Sequence, residues 1–361
     1  MKKINFKLGV LILFLTLGFS GCEKEEISTD NNSETSEKPG NPGNPNPGGS
    51  IAFSGQATAL QAQVLGASIA LSQTNPLPST GGAEEASLLE SNNVLGVLGV
   101  RVLHAATVGQ GDKASSEASV AGININVGLT SISTGILMSR SSALCSSVNT
   151  PILGGSSEVV GLVINGIPIV VSGSPNQTIT LPLGVGQVII NEQSQSVLGN
   201  YGEITVTALH VKLIGVADII VSRSHSDIQC LGSPACGSGD FITGGGWLTA
   251  PSGAKGNFAV AGGIKNGNFW GHLNYIDHGA GGPKIKGNSI TSYNVLSPTR
   301  REIKGTCEIN GSGNYLYTVV VTDNGEPGTN DTFSLVTNGY NVSGVLRGGN
   351  IQLHKQKACK K

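Results

Sequence analysis

The sequence predicts an all-β protein with two antiparallel β domains, of sandwich or barrel type, behind a disordered tether. Glycine accounts for 53 of 361 residues and charged residues for 12%, against usual shares of about 7% and about 25%. Stretches that alternate apolar and polar residues recur between turn-forming residues, which is typical of antiparallel sheets. This composition favours extracellular β structure with many turns.

The first 21 residues read as an export signal. Lysines near the start precede an apolar run at residues 8–19, and the small residues Ser20 and Gly21 lead to Cys22. The run is shorter than the roughly 20 residues that a membrane-spanning helix needs. A cysteine in this position resembles a bacterial lipobox, which implies that Cys22 is acylated and begins the mature chain. An ordinary signal peptide that happens to carry a cysteine is the alternative.

The segment after Cys22 reads as a tether. Glu23, Glu25 and Glu26 follow at once, and this acidic stretch resembles the signal of Bacteroidetes-type lipoproteins for the outer face of the outer membrane. Residues 27–50 are rich in Ser, Asn, Pro and Gly and lack apolar periodicity, so nothing offsets the entropy of ordering them. We therefore expect a lipid-anchored protein at the bacterial outer membrane, facing the exterior.

A change in composition near Cys230 predicts two domains, 51–230 and 231–361. Phe53 and Tyr201 are the only aromatic residues of the first segment, whereas the second is rich in them. Acids outnumber bases in the first segment and bases outnumber acids in the second. Opposite charge could help the two domains to dock.

The first domain reads as strands with hardly any helix. Ile123, Ile125 and Val127 alternate with asparagines, and Asn165-Gly166 lies between apolar residues as in a type I′ hairpin. The run Ile219 to Val221 predicts a buried strand. The stretch from Gly82 to Leu103 could form a short helix. With so few aromatic residues, the core must consist of Val, Ile, Leu and Ala.

Four stretches of the first domain resemble a known secreted module. They are residues 54–60, 163–169, 190–193 and 207–211, and they are similar to the choice-of-anchor P family. The resemblance implies a secreted module that is attached to the cell in different ways in different proteins, of which a lipidated cysteine is one. It carries no activity and no catalytic residue to this chain.

The second domain reads as a separate β module. Tyr315, Tyr317, Val319 and Val321 fall on one face of a predicted strand. Its glycine-rich phrases resemble the domain that commonly follows the choice-of-anchor P region, over about residues 237–355. These phrases are residues 240–247, 271–278, 311–315 and 348–354.

The five cysteines after Cys22 suit an oxidising compartment, where disulfides persist. The preferred pairing is Cys145 with Cys230 and Cys236 with Cys307, which leaves Cys359 free. A Cys230–Cys236 bond is a close rival, because spacing does not determine connectivity. No paired cysteines or histidines have the short spacing of a zinc site.

A loop of oxygen donors is a candidate calcium site. It holds Asp323, Asn324, Glu326, Asn330 and Asp331, and calcium favours six to eight oxygen ligands. The same residues also suit a tight turn, and their spacing is not that of an EF-hand. Calcium is the one cofactor that the sequence suggests.

A second candidate is a ligand site in the second domain. Trp247, Phe269, Trp270 and Tyr275 could form an aromatic platform for sugars, although all four could equally be core residues. His272 and His278 fall on one face of a continuous strand, with Asp277 on the other. A metal or acid–base role is possible for them, and satisfied polar groups are the alternative.

The leading functional hypothesis is a non-catalytic surface lipoprotein that binds a glycan or a protein, or that serves as a structural spacer. No nucleophile elbow, zinc-protease motif or phosphate loop occurs, so an enzyme is the less favoured class. The rival is an extracellular protein that acts on or binds polysaccharide through Trp270, His272, Asp277 and His278. Nucleic acid is not expected, because no basic cluster is interleaved with aromatic residues.

Overall fold

The computed structural model describes residues 51–231, 239–265 and 267–355. Within these ranges the protein is all-β, with three antiparallel sheets, short 3-10 turns at Pro182–Gly184 and Gly328–Asn330, and no α-helix. None of the helical segments in these ranges is long and apolar enough to cross a membrane.

The first sheet has six strands in the order β12-β13-β14-β15-β1-β2. Its long strands begin and end at nearly the same level, so their turns line up at the two ends of the sheet. The strands are β1 (Ala52–Val64), β2 (Ala67–Gln73), β12 (Gln177–Thr180), β13 (Gly186–Leu198), β14 (Tyr201–Leu213) and β15 (Ala217–Gln229).

The second sheet has nine strands, in the order β11-β10-β7-β6-β4-β5-β8-β9, with β3 also paired to β4. The strands are β3 (Gly82–Val94), β4 (Leu98–Gln110), β5 (Lys113–Val120), β6 (Ile123–Val127), β7 (Thr130–Thr134), β8 (Ile136–Cys145), β9 (Pro151–Val160), β10 (Val163–Ile164) and β11 (Ile167–Pro168).

The third sheet is a meander whose last strand returns to pair with its first, in the order β23-β22-β21-β20-β19-β18-β17-β16-β24. The strands are β16 (Asp240–Thr249), β17 (Lys255–Lys265), β18 (Asn268–Asp277), β19 (Lys284–Val295), β20 (Arg300–Ile309), β21 (Ser312–Thr322), β22 (Thr332–Thr337), β23 (Tyr340–Val345) and β24 (Gly348–Lys355).

The first two sheets face each other over one aliphatic core. It contains Leu60 and Val211 from the first sheet and Leu103, Ile125 and Leu137 from the second, all without exposed surface. The predicted core of Val, Ile, Leu and Ala is therefore confirmed. Small side chains let the two sheets approach closely, and full burial of each large aliphatic contributes about 1.5–3 kcal/mol.

The third sheet curls around a separate core that is rich in aromatic residues. Phe258 stacks on Phe333 with ring centroids 4.2 Å apart, and Tyr275 lies between that pair and Tyr340. Tyr317 is buried in the same cluster, as its predicted apolar face requires. No strand pairing among the described residues joins the third sheet to the other two.

The predicted helix between Gly82 and Leu103 is wrong. That segment forms β3 and the start of β4, which pair from Gly82 with Gly109 to Val94 with Leu98. Local residues such as Glu84, Glu85, Leu88 and Leu89 favour a helix, but strand pairing and burial between two sheets outweigh that weak preference. In contrast, the type I′ turn is confirmed, since Asn165 and Gly166 have φ values of 50° and 79°.

The predicted Cys145–Cys230 disulfide is present, with Cα atoms 5.5 Å apart. It joins the end of β8 to the residue after β15, and so links the first two sheets. The proposed partner of Cys236 is wrong, because Cys307 is a buried free thiol in the third sheet's core. Its sulfur lies 3.4 Å from the Thr337 hydroxyl, and burial raises its pKa. Cys230 is already paired, so the rival Cys230–Cys236 bond does not form either.

Candidate functional site

A connected group of four titratable side chains lies where the second and third sheets meet. We call this contact the seam. On β3 and β18 every second residue faces the other sheet, and the two rows match one to one: Ala83 with Trp270, Glu85 with His272, Ser87 with Asn274 and Leu89 with Ile276. The seam is therefore apolar at its two ends and polar in its middle.

A linear chain of hydrogen bonds crosses the middle of the seam. Glu85 bonds Nδ1 of His272, whose Nε2 lies 3.2 Å from Nδ1 of His104. Nε2 of His104 lies 3.1 Å from Oε1 of Glu117. His104 and Glu117 are almost fully buried on β4 and β5, so the chain runs from the rim of the seam into its interior.

The donor and acceptor roles along this chain depend on the partner that each ring nitrogen faces. Each carboxylate accepts a hydrogen bond, so Nδ1 of His272 and Nε2 of His104 both carry hydrogen. The two remaining nitrogens face each other, and one must donate while the other accepts. All four ring nitrogens of the two histidines therefore face a partner within the chain.

The carboxylates are held in their ionised form. Burial on its own would raise the pKa of Glu85, but the charge and hydrogen bond of His272 outweigh it and the net pKa is lowered. Burial also opposes ionisation of Glu117, and the hydrogen bond and charge of His104 bring its pKa below the usual value. A buried charge is tolerated only when it is paired in this way.

A third histidine closes the inner end of the seam. Nε2 of His354 lies 3.0 Å from the hydroxyl of Thr243, and its ring stacks on Phe241 with centroids 4.8 Å apart. Burial lowers the pKa of His354 to about 4, so the ring is neutral at pH 7. His354 therefore adds a hydrogen bond but no charge.

Close packing and ion pairs hold the two sheets together. A Cβ on Gly245 would come within 2.4 Å of Oγ of Ser119, so any other residue there would require the Ser119 hydroxyl to move. At the rim, Lys265 pairs with Glu84 at 2.6 Å and Lys284 pairs with Glu90. Both pairs join a base of the third sheet to an acid of the second, as the opposite charge balance of the two segments predicts.

The predicted aromatic platform does not form one surface. Trp270 lies in the seam against Phe241, with centroids 5.6 Å apart. Tyr275 faces the opposite side of β18 and is fully buried, so its predicted role in ligand binding is wrong. Trp247 is partly buried beneath Lys255, whose Nζ lies 4.7 Å from the ring centroid. Phe269 is 45% exposed and stands apart from them.

The predicted His272, Asp277 and His278 group is split between two environments. His272 belongs to the seam, while Asp277 points to the other side of β18 and accepts hydrogen bonds from Ser252 and Tyr340. His278 lies beyond the end of the strand and is half-buried, and that burial lowers its pKa. The three side chains do not share a pocket in which an acid and a base could act on one substrate.

The candidate calcium loop brings its acids together but uses their oxygens internally. Asp323 accepts hydrogen bonds from the backbone of Gly325 and Leu353, and Asp331 from that of Asn324 and Ile351. Burial, with the nearby charges of Asp323 and Glu326, raises the pKa of Asp331 to about 6.

These bonds fasten the loop to β24. Glu326 accepts a hydrogen bond from Asn350 at 2.9 Å, while the side chain of Asn324 bonds to the carbonyl of Asn330. Across residues 51–231, 239–265 and 267–355, no three Asp, Glu, His or Cys side chains are arranged to hold a metal ion. The turn interpretation accounts for every one of these bonds.

Several residues of the seam escaped sequence reasoning. Glu85, His104 and Glu117 lie on three different strands and carry no motif. Thr243 and His354 lie on β16 and β24, the first and last strands of the third sheet in chain order, which pair with each other. No spacing within one strand could have found them, because their partners lie on neighbouring strands or across the seam. Cys22, Cys236 and Cys359 lie outside the described residues.

Comparison with protein families, with curated proteins and with solved structures finds no match to this chain. The resemblance to the choice-of-anchor P family stays a prediction from the sequence.

Proposed function

We propose that this chain is a cell-surface lipoprotein that acts as a non-catalytic binding module. The lipobox-like Cys22 and the acidic stretch behind it support the proposed localisation at the cell surface. A folded unit that begins at Ile51 would then be held to the outer membrane through about 28 intervening residues, which is long enough to keep it clear of the lipid headgroups.

The single observation that carries the non-catalytic part is the state of the titratable groups. One cluster of four, Glu85, His272, His104 and Glu117, is internal and self-paired. Catalytic acids and bases must reach a substrate within hydrogen-bond distance. Here each nitrogen and the bonded carboxylate oxygens already serve as each other's partners across the seam.

The rival function, action on polysaccharide, needs Trp270, His272, Asp277 and His278 in one open groove. The alternation of β18 sends Trp270 and His272 to the seam and Asp277 to the opposite side. Nothing in this arrangement favours the rival over a binding module.

Metabolic labelling with an alkyne fatty acid tests whether Cys22 is acylated, and protease treatment of intact cells tests the surface localisation. We expect the wild-type chain to carry label and the Cys22→Ala variant to carry none. Protease added to intact cells should then cleave the wild-type chain while a periplasmic marker stays intact. An unlabelled wild-type chain, or a chain that protease cannot reach, would overturn the proposal.

A further inference from the structure

One end of the first two sheets carries a row of exposed aliphatic side chains on its turns. Leu65, Leu129, Leu183 and Ile214 are 79%, 91%, 90% and 76% exposed. Each lies directly beside a glycine in a tight turn between strands. We call these four residues the ridge.

The ridge residues belong to one surface. The residues one or two positions before them, Val64, Val127, Leu181 and Leu213, are all buried in the aliphatic core between the two sheets. The turns are also joined by backbone hydrogen bonds: the amide of Leu65 donates to Val216 at 2.9 Å, and the amide of Ile214 donates to Val185 at 3.0 Å. The four side chains of the ridge therefore project from the same end of that core.

Two of the leucines are unfavourable where they stand on two separate grounds. Leu65 and Leu183 have φ values of 48° and 60°, in the left-handed region that favours Gly and Asn. Each side chain is also exposed to water, where an aliphatic group is unfavourable. Asn149, Asn165 and Asn176 occupy the same backbone region elsewhere in the first two sheets. A side chain that opposes both the backbone and the solvent preference indicates a contact that the isolated chain does not make.

The chemistry of the ridge fits a lipid phase better than a protein. Protein-binding hot spots are enriched in Trp, Tyr and Arg, and the ridge holds none of them. Its side chains are separate projections, which suit a fluid partner. Lys212 and Asp218, on β14 and β15, carry opposite charges and line one surface cavity with Leu65 and Ile214. The backbone bonds between the turns also reduce the cost of entering a medium that offers no hydrogen bonds.

The start of the chain indicates which bilayer the ridge meets. Strand β1 runs from Ala52 at one end of the first sheet to Val64 beneath the ridge, a rise of about 40 Å. The segment that leads to Cys22 therefore joins the fold at the end away from the ridge. We propose that the ridge inserts into the outer leaflet of a second bilayer, opposite the one that holds the chain. The direction rests on the proposed lipid anchor, while insertion itself does not.

A fluorescent probe on each end of the fold tests insertion without the anchor. The full chain carrying Cys22→Ser, Cys236→Ser and Cys359→Ser receives either Ile214→Cys on the ridge or Leu198→Cys at the opposite end. Leu198 is 70% exposed and makes a matched control. Each thiol is labelled with NBD and mixed with phosphatidylcholine vesicles, with or without brominated acyl chains.

We expect a blue shift and at least a twofold quenching by brominated lipid for the label at position 214, with no change at 198. Equal responses at both positions, or none at either, would overturn the proposal. A blue shift at 214 that grows with protein concentration in the absence of vesicles would overturn it in favour of a second copy of the chain. Loss of acylation in the labelling experiment would leave this result unaffected, so the two failures are distinguishable.

A paired substitution guards against a folding artefact. Leu65→Asn with Leu183→Asn places at both positions a residue that the left-handed region favours. We expect vesicle binding to fall by about tenfold or more, with no loss of thermal stability. Val148→Asn with Leu198→Asn at the opposite end should leave vesicle binding unchanged. Equal loss in both pairs would contradict a specific role for the ridge.

Discussion

The seam and the ridge depart from the usual distribution of side chains in opposite directions. The seam buries Glu117 and His104, whereas the ridge exposes Leu65 and Leu183. In the seam each charge has a partner, so its burial is explained within the molecule. On the ridge nothing in the described part of the chain covers the leucines. The difference teaches that a buried charge with partners indicates structure, while an exposed aliphatic in a strained turn indicates an external contact.

The largest expected effect comes from breaking the charge balance of the seam. Glu117→Gln keeps the shape of the side chain but removes the buried carboxylate that bonds His104. We expect a loss of about 3 kcal/mol in the free energy of unfolding, as for one partner of a buried ion pair. Urea denaturation measures it. Glu302→Gln, at a surface pair with Lys304, is the matched control and should change stability by less than about 1 kcal/mol.

Replacing the inner pair as a whole should be milder than breaking it. With His104→Leu and Glu117→Met together, His272 keeps Glu85 and no buried charge is left alone. We expect this double variant to be at least about 1 kcal/mol more stable than Glu117→Gln, because apolar replacement of a complete buried pair is often neutral. A double variant that is less stable than Glu117→Gln would show that the network contributes more than the balance of its charges.

Acid should weaken the seam with a defined sign. The pKa values of Glu85 and Glu117 are lowered on folding. Their contribution is therefore complete above the unfolded pKa of about 4.3 and is lost as pH falls through the lower native values. Urea denaturation from pH 7 to pH 3 should show wild-type stability falling at the acid end. The penalty of Glu117→Gln should shrink over the same range, and a constant penalty would contradict the ionised state of Glu117.

The smallest effect concerns the ridge backbone. Leu65→Asn alone should raise the free energy of unfolding by about 1 kcal/mol or less, because asparagine tolerates the left-handed conformation that leucine resists. Differential scanning calorimetry detects such a gain. Val148→Asn, at an exposed site outside that backbone region, should give no gain. A destabilised Leu65→Asn chain would mean that Leu65 packs within the molecule.

The strands of this protein were predictable where local pattern and burial agree. Ile123 to Val127 alternates and forms β6, and the Asn165-Gly166 hairpin follows from turn chemistry. The Cys145–Cys230 bond was the preferred one of the pairings that the sequence left open. The segment around Glu85 was not predictable, because its local preference is helical and its partners lie in another sheet. The sequence indicates docking by opposite charge, but not which residues meet.

The candidate sites were less predictable than the fold. His272 was singled out for its spacing to His278, yet its partners are Glu85 and His104, which no spacing within one strand can reveal. The ridge escaped notice because Leu65 and Leu183 each read as an ordinary turn neighbour of glycine. Only the backbone angles, and the alignment of separate turns at one end of the fold, distinguish Leu65 and Leu183 from other turn residues.

The most direct test measures both properties on the same two chains. Thermal unfolding and phosphatidylcholine vesicle binding are recorded for Glu117→Gln and for Leu65→Asn with Leu183→Asn. The account predicts that the seam variant melts earlier but binds vesicles normally while folded, and that the ridge variant melts no earlier than wild type but binds vesicles at least about tenfold more weakly. If the ridge variant bound vesicles as wild type does, the assignment of an external contact to the exposed leucines would be contradicted.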